Sequence, residues 1–252
     1  MDEILPKKAP VTTMTKSPAQ ASRAGSSALQ QYLRAVGAIA WKDLAAELRS
    51  RELFSAMLVF SLLVIIIFNF ALELDIATRR SVTSGVLWVT FAFAGTLGLN
   101  RSLGIEREQG GLDGLMLAPV DRTAIYFGKA ISNLAFMLGV EAVTLPVYSF
   151  LYGINLFHPG LLGVILLGSI GYTAVGTLLA TMSVQTRTRD MLLPILLFPL
   201  VLPVLIAAVK ASGGILAGDE AASVMSWVNV LIVYDVIFLA VAFMVFDFVV
   251  QE

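Results

Sequence analysis

Two acidic residues lie inside long apolar runs, where a charged side chain is costly. Glu141 falls near the centre of its run, and Asp235 lies about 12 Å inside another run if that run is helical. Carboxyl groups at such depths are usually protonated, paired or exposed to a wet cavity. The two acids therefore either line one polar site, as in a proton-coupled carrier, or are satisfied separately and hold helices in register.

The single histidine, His158, has a side chain of the kind that serves as an axial haem ligand. It precedes Pro159 in a short segment between two apolar runs. An isolated histidine in such a loop is more often an ordinary surface residue, so haem binding at His158 is the less favoured interpretation.

Patterns typical of enzymes and ATPases are absent from the sequence. There is no cysteine, which excludes disulfides, cysteine-ligated metals and Cys-x-x-Cys-His haem attachment. The only Gly-Lys pair, Gly128-Lys129, has Thr123 where a P-loop needs glycine and Ala130 where it needs Ser or Thr. We expect a non-catalytic chain that binds no metal or cofactor itself, so that any ATP is hydrolysed by another chain.

The composition is that of an integral membrane protein. Apolar residues make up 58% of the chain and charged residues 14%, and the mean hydropathy is +0.85. We therefore expect membrane lipid and other proteins as partners, and no nucleic acid.

Six apolar runs are long enough, or nearly long enough, to cross a hydrocarbon core of about 30 Å as helices. The predicted fold class is all-α integral membrane, with six transmembrane helices. The predicted spans are residues 53–72, 84–100, 131–152, 161–183, 191–209 and 227–250. The second span is short by itself. To cross the membrane fully, it has to continue as helix into the charged residues that follow.

The basic residues predict the orientation of these spans. With a cytosolic N-terminus, the inner segments carry 8, 4 and 2 Lys and Arg residues, whereas the outer segments carry Arg79, Arg80 and Lys210. Because basic residues accumulate on the cytosolic side, we expect both termini to be cytosolic.

The residues before the first span fall into two parts. Residues 1–28 are rich in Pro, Ser, Thr, Ala and Lys without periodicity, which predicts a disordered cytosolic tail. Residues 29–52 place apolar side chains at helical spacing, which predicts an amphipathic helix in the membrane interface or, alternatively, a simple stop-and-turn element. Glu47 and Arg51 are spaced for an i,i+4 ion pair. Residues 29–252 then form one six-span domain.

A charged segment, residues 105–122, interrupts the apolar runs. Leu112, Leu115 and Met116 recur at i, i+3 and i+4, which predicts one apolar face on a short helix. Such a helix suits the groove of a soluble partner; the alternative is a solvated loop with stray apolar residues. Asp121 is placed to cap the next helix. The other residues that frame this face are Glu106, Arg107, Glu108, Gly110, Asp113 and Pro119.

The fifth span contains Pro194, Pro199 and Pro203, each of which deletes a helical hydrogen bond. Free carbonyls are costly in lipid. We therefore expect this span to be buried against neighbours or to be discontinuous, with residues 211–226 dipping back toward the membrane. Elsewhere, Ala94-x-x-x-Gly98 and Gly176-x-x-x-Ala180 predict close helix contacts.

Three stretches resemble known membrane transporters. The charged segment, with Glu106-Arg107-Glu108, Gly110, Leu112, Leu115, Pro119 and Lys129, resembles the cytosolic coupling segment of type-2 ABC exporter permeases. Gly85-Val86-Leu87-Trp88 and residues 197–206 are similar to the CcmB family, the permease subunits of the ABC transporter of cytochrome c maturation. The similarity runs from about Trp41 to the end of the chain.

This resemblance implies a function and a set of partners. A CcmA-like ATPase would dock on the coupling segment, within a complex that contains CcmC and CcmD and serves the haem chaperone CcmE. ATP hydrolysis there would drive haem export or, as we prefer, release of the haem-loaded chaperone, with haem present in the complex. The alternative is a type-2 ABC permease that exports another substrate, such as a drug, lipid or polysaccharide.

The resemblance also implies a bacterial cytoplasmic (inner) membrane location. Six spans make a narrow bundle for a translocation path, so we expect at least two permease chains in the assembly.

Overall fold

The computed structural model describes residues 18–71, 76–108, 120–183 and 189–249, and the regular structure in these ranges is entirely helical. The seven helices are α1 (Pro18–Ser50), α2 (Glu52–Ala71), α3 (Ile76–Glu108), α4 (Arg122–Tyr152), α5 (Pro159–Ser183), α6 (Arg189–Ala217) and α7 (Ala221–Val249).

Helices α2 to α7 are each long and apolar enough to cross a membrane, which confirms the predicted six spans and the all-α membrane fold. The differences lie at the helix ends. Helix α3 begins at Ile76 and continues to Glu108, so the span that looked short in the sequence is the middle of a 33-residue helix. Helices α4 and α7 also begin earlier than predicted, at Arg122 and Ala221.

Helices α3 and α5 form the centre of the bundle. Helix α5 packs against α3, α4, α6 and α7, while α3 packs against α2, α4, α5 and α6. Both helices are buried over most of their length, whereas α2 and α7 expose most of theirs. Helix α1 packs mainly along the start of α4 and touches α2.

The small-residue motifs lie at helix contacts, as predicted. A Cβ atom on Gly98 would come within 2.5 Å of the Met57 sulfur of α2, and one on Gly176 would overlap the Leu99 side chain of α3. Glycine at these positions allows the close packing that stabilises helix pairs in lipid.

The prediction of a discontinuous fifth span with a re-entrant segment is wrong. Helix α6 runs unbroken through Pro194, Pro199 and Pro203, and residues 211–217 continue it. The chain turns at Gly218, which has a φ of 78°. Helix α6 packs against α3, α5 and α7 on one side, but Pro199 and Pro203 lie on its exposed side, so the alternative expectation of burial does not hold for these two prolines either.

Helix α1 begins within the predicted tail. Residues 1–17 lie outside the described residues, and residues 18–28 are helical, so α1 begins eleven residues before the predicted boundary at residue 29. Pro18 occupies a first-turn position that proline favours, and the Ala, Gln and Arg residues that follow are compatible with helix. The composition of this part resembled a linker, yet it continues into a long helix.

Candidate coupling site

The centre of the predicted coupling segment lies outside the described residues. This holds for Gly110, Leu112, Asp113, Leu115, Met116 and Pro119, whose proposed roles stay predictions. Glu106, Arg107 and Glu108 belong to the last turn of α3. The segment therefore connects the end of one long helix to the start of another, and the described residues on either side define where it is anchored.

On the entry side, an ion pair joins α3 to the start of the first span. The Arg101 Nη2 atom lies 2.6 Å from the Glu52 Oε2 atom. Both side chains are about half exposed, so the pair contributes little to stability. It nevertheless shows that the start of α2 and the end of α3 lie side by side, at what we call the coupling end of the bundle.

On the exit side, Asp121 caps α4 as predicted. Its Oδ1 atom accepts hydrogen bonds from the Thr123 amide at 2.9 Å and from the Thr123 hydroxyl at 2.7 Å. An aspartate here satisfies a free N–H group and complements the positive end of the helix. The Thr123 hydroxyl also lies 3.2 Å from the hydroxyl of Tyr32 in α1, so the cap is connected to the neighbouring helix.

About two turns further on, a buried ion pair fastens α1 to α4. The Lys129 Nζ atom lies 3.2 Å from the Asp43 Oδ2 atom, and Lys129 is only 4% exposed. The Ser132 hydroxyl donates to the same oxygen at 3.2 Å, and Lys42 lies 3.3 Å from the other oxygen of Asp43. The carboxylate is therefore neutralised and hydrogen-bonded, as a partly buried charge must be.

The two helices also approach closely between these polar contacts. A Cβ atom on Gly128 would lie 2.8 Å from the Ile39 side chain and 3.2 Å from the Val36 carbonyl oxygen. We call the whole contact the α1–α4 seam. It is formed by Tyr32, Val36, Ile39 and Asp43 of α1 with Thr123, Gly128, Lys129 and Ser132 of α4.

The α1 side of this seam was predicted only in part. The predicted apolar face, expected to lie toward acyl chains, consists of Leu29, Leu33, Val36, Ala40, Leu44 and Leu48. Val36 and Ala40 are buried, whereas Leu29, Leu33 and Leu48 are exposed. The packed face is offset around the helix and includes polar residues. A usable signal was present, because Tyr32, Val36, Ile39 and Asp43 recur at helical spacing, but a search for apolar residues alone excludes two of these four.

The corner between α1 and α2 departs from the predicted i,i+4 ion pair of Glu47 and Arg51. Arg51 has a φ of 56°, which takes its side chain off the helical path. Glu47 Oε1 instead accepts a hydrogen bond of 2.8 Å from the Phe54 amide in the first turn of α2. Glu47 thus caps the first span across the corner.

The two intramembrane acids are both buried, and each contacts α5 from a different helix. Glu141 of α4 is 2% exposed, and its Oε1 atom accepts a hydrogen bond of 2.6 Å from the Ser169 hydroxyl. Asp235 of α7 is 5% exposed, and its carboxyl group lies directly against Gly171, where a Cβ atom would overlap it. Among the described residues, neither oxygen of Asp235 has a hydrogen-bond partner.

These contacts separate the two acids. Positions 169 and 171 are about 200° apart around a helix of 3.6 residues per turn, so α5 stands between Glu141 and Asp235. The arrangement favours two separate buried acids over one shared polar site. Within the described ranges, no group of three or more potential metal ligands is found either.

His158 lies in the short connection before α5, at the other end of the bundle from Asp121. Its side chain is exposed, and its Nδ1 atom accepts a hydrogen bond of 3.3 Å from the Gly160 amide. Its carbonyl oxygen accepts one of 3.0 Å from Leu162. His158 thus occupies a helix-capping position, and no contact in the structure tests a role in haem ligation.

Similarity to known proteins extends over most of this arrangement. A family model described as CcmB protein matches residues 34–251, from α1 through α7. The heme exporter protein B of Bradyrhizobium diazoefficiens is 28% identical over 190 residues, which cover 74% of this chain and 84% of that protein. The heme exporter protein B of Rhodobacter capsulatus is 29% identical over 168 residues, covering 66% and 76%.

The heme exporter protein B of Paracoccus denitrificans is 28% identical over 171 residues, covering 68% of this chain and 78% of that protein. The family match includes the α1–α4 seam from Val36 onward, both flanks of the coupling segment and all six spans. On this evidence the chain is a multi-pass membrane protein that belongs to the CcmB family.

Proposed function

We propose that this chain is the membrane permease subunit of a haem exporter that serves c-type cytochrome biogenesis. The observation that carries the proposal is the family match over residues 34–251, together with relatives named heme exporter protein B. The same match disfavours the alternative of a drug, lipid or polysaccharide exporter. The chain would work in the bacterial inner membrane with both termini in the cytosol, as its distribution of basic residues favours.

In this proposal, a separate CcmA-like ATPase docks on the apolar face of Leu112, Leu115 and Met116. Movement of the ATPase would pass to both helices that flank the segment, because α3 ends there and α4 begins there. The α1–α4 seam would make α1 move together with the start of α4. Such coupling is reciprocal, so the state of the helices would also bias ATP hydrolysis.

We further propose that hydrolysis releases the haem-loaded chaperone CcmE, in a complex that includes CcmC and CcmD and at least two permease chains. Two features support chaperone release over passage of haem through this chain. The chain has a single histidine, and its Nδ1 atom is engaged at the start of α5. The two buried acids contact different sides of α5, an arrangement that favours two separate acids over a shared polar path.

The docking role is tested by replacing Leu115 with Asp. A carboxylate on the apolar face should prevent docking while leaving the six spans inserted, so the ATPase should no longer copurify with this chain and holocytochrome c should not form. Leu115→Met is the matched control, because it keeps an apolar side chain of similar size. Normal copurification of the ATPase with the Leu115→Asp variant would refute the docking role.

The wider proposal is tested by purifying the complex through this subunit. We expect CcmA-like, CcmC-like and CcmE-like chains to copurify, with haem bound to the chaperone. A complex that contains an ATPase and a different cargo, without any of these chains, would instead support export of another substrate.

A further inference from the structure

The corner between α1 and α2 encloses an open cleft that the proposed function does not use. Its volume is about 500 Å³, within the range of about 300–1,000 Å³ typical of ligand sites. The walls come from α1, α2 and α4, and they are almost entirely apolar, with Leu48, Phe54 and Phe136 among them. The charged side chains that line it are Glu47 and Arg51.

Both carboxylate oxygens of Glu47 are already hydrogen-bonded within the protein. Glu47 is 8% exposed, and its two carboxylate oxygens accept hydrogen bonds from the Phe54 amide at 2.8 Å and the Ser50 hydroxyl at 3.3 Å. The positive end of α2 further compensates its charge. Glu47 is therefore part of the wall and does not need a ligand.

Arg51 is in the opposite situation. Its side chain is exposed at the rim of the cleft, and among the described residues it makes no ion pair and donates no side-chain hydrogen bond. Its φ of 56° places it in the left-handed region, where glycine is the usual residue and other residues are strained. With no pairing partner in the part of the chain that the structure describes, the guanidinium is therefore available to a ligand at the cleft.

The location of the cleft indicates what Arg51 binds. Arg51 is the residue between α1 and Glu52, the first residue of the first span, so it lies at the boundary between water and the membrane. The neighbouring α1 exposes the apolar side chains of Trp41 and Leu48, and an exposed tryptophan is typical of the membrane interface. A guanidinium group at this level, above an apolar wall, is complementary to the phosphate and acyl chain of a membrane lipid.

We propose that this cleft binds one phospholipid of the surrounding bilayer, with an acyl chain along the apolar wall and the phosphate held by Arg51. The bound lipid would fill the angle between α1 and α2. It would thereby fix the orientation of α1 relative to the first span. This site is independent of the proposed function, since it depends only on the corner and on the chain being in a membrane.

The test compares Arg51→Asn with Arg49→Asn. Asparagine tolerates the left-handed conformation, so Arg51→Asn removes the guanidinium with little backbone penalty. Arg49 is also exposed but does not line the cleft, which makes Arg49→Asn the matched control. The readouts are phospholipid retained per chain in native mass spectrometry, and the rise in Tm when dioleoyl phosphatidylglycerol is added to protein in mild detergent.

We expect wild type and Arg49→Asn to retain one phospholipid and to be stabilised by the added lipid. Dioleoylglycerol, which lacks the phosphate, should give no comparable rise in Tm. Arg51→Asn should weaken the apparent affinity by about tenfold or more, because a charge-assisted hydrogen bond to phosphate is lost.

A second variant tests the apolar part of the site. Ala135 lines the cleft from α4, and Ala135→Phe should fill it and abolish lipid retention in protein that still elutes as a folded species. Equal lipid binding by wild type, Arg51→Asn and Ala135→Phe would refute the proposal. Loss of association between protein chains in these variants, with lipid binding unchanged, would show that the cleft is a protein interface and would also refute it.

Discussion

The packing around Trp88 and the α1–α4 seam hold helices together by different means. Trp88 of α3 is 2% exposed, lies directly over Gly168 of α5 and donates a hydrogen bond of 3.0 Å to the Ser212 hydroxyl of α6. It belongs to a large apolar cluster drawn from α2 to α7. The seam, by contrast, combines one close glycine contact with charged and hydroxyl groups.

This difference indicates separate roles: the Trp88 region supports the bundle, and the seam transmits movement. Apolar helices gain little from leaving lipid for one another, so the centre of the bundle depends on close fit at glycine. The seam adds directional polar contacts within three turns of the coupling segment. We infer that the Trp88 region keeps the bundle rigid, whereas the seam determines how α1 follows the start of α4. Substitutions in each region test whether the two are separable.

The largest effect is expected for Gly168→Ala. A Cβ atom on Gly168 would overlap the Trp88 ring, and α3 and α5 are each packed against four other helices. We expect a loss of about 3 kcal/mol of stability, the upper end of what overpacking typically costs. The measurement is Tm and monodispersity in detergent.

Gly163→Ala on the same helix is the control for this substitution. A Cβ atom on Gly163 meets nothing within 4 Å, so alanine there should be neutral or slightly stabilising. Similar stability of the two alanine variants would mean that the Trp88 region adapts easily and is not the rigid part of the molecule.

The spans were predictable from sequence because their signal is local. A run of about 20 apolar residues is sufficient to indicate a membrane helix, and the cap at Asp121 was visible in the same way. What failed was the fifth span: three prolines indicate local breaks, yet α6 is continuous, with Pro199 and Pro203 on its exposed side. Its other side packs against α3, α5 and α7, and such contacts between residues distant in sequence are not contained in the local pattern.

The candidate site was predictable only in part, for a related reason. The sequence identified Glu141 and Asp235 as unusual. Whether they share one polar site depends on which sides of α5 they contact, and this is evident only in the fold. Asp43 was not singled out, since a charge in an amphipathic helix ordinarily faces water. Its partner Lys129 lies 86 residues further along the chain, so the pair becomes evident only once the helices are packed.

An intermediate effect is expected for Lys129→Met, which keeps the length of the side chain but removes its charge. Asp43 would lose its buried cation and retain Ser132 and the more exposed Lys42. We expect a loss of about 2 kcal/mol, below that of a fully buried pair because Lys42 remains. Hydrogen exchange should accelerate in α1 and stay unchanged in α3 and α5.

Lys42→Met is the matched control, because Lys42 contacts the same carboxylate from a half-exposed position. It should change stability by less than about 1 kcal/mol. If exchange in α3 and α5 accelerated as much as in α1 after Lys129→Met, the seam and the Trp88 region would form one cooperative unit, and the distinction between them would fail.

The smallest effect is expected for Gly128→Ala, and here the sign matters more than the size. Alanine in a helix is favoured over glycine by about 0.5–1 kcal/mol, but a Cβ atom at Gly128 would lie 2.8 Å from Ile39 and 3.2 Å from the Val36 carbonyl oxygen. Helix α1 would have to move outward, which should weaken the ion pair of Asp43 with Lys129. We expect a net loss of about 1 kcal/mol, measured as a fall in Tm.

Gly37→Ala places the same methyl group on the exposed side of α1, where nothing lies within 4 Å, and should be stabilising by the same helix preference. Opposite signs for Gly128→Ala and Gly37→Ala would locate the sensitivity of α1 in its contact with α4 and not in its intrinsic helicity. If both variants were stabilised equally, α1 would be able to shift on α4 without loss. The seam would then be too compliant to transmit movement from the coupling segment.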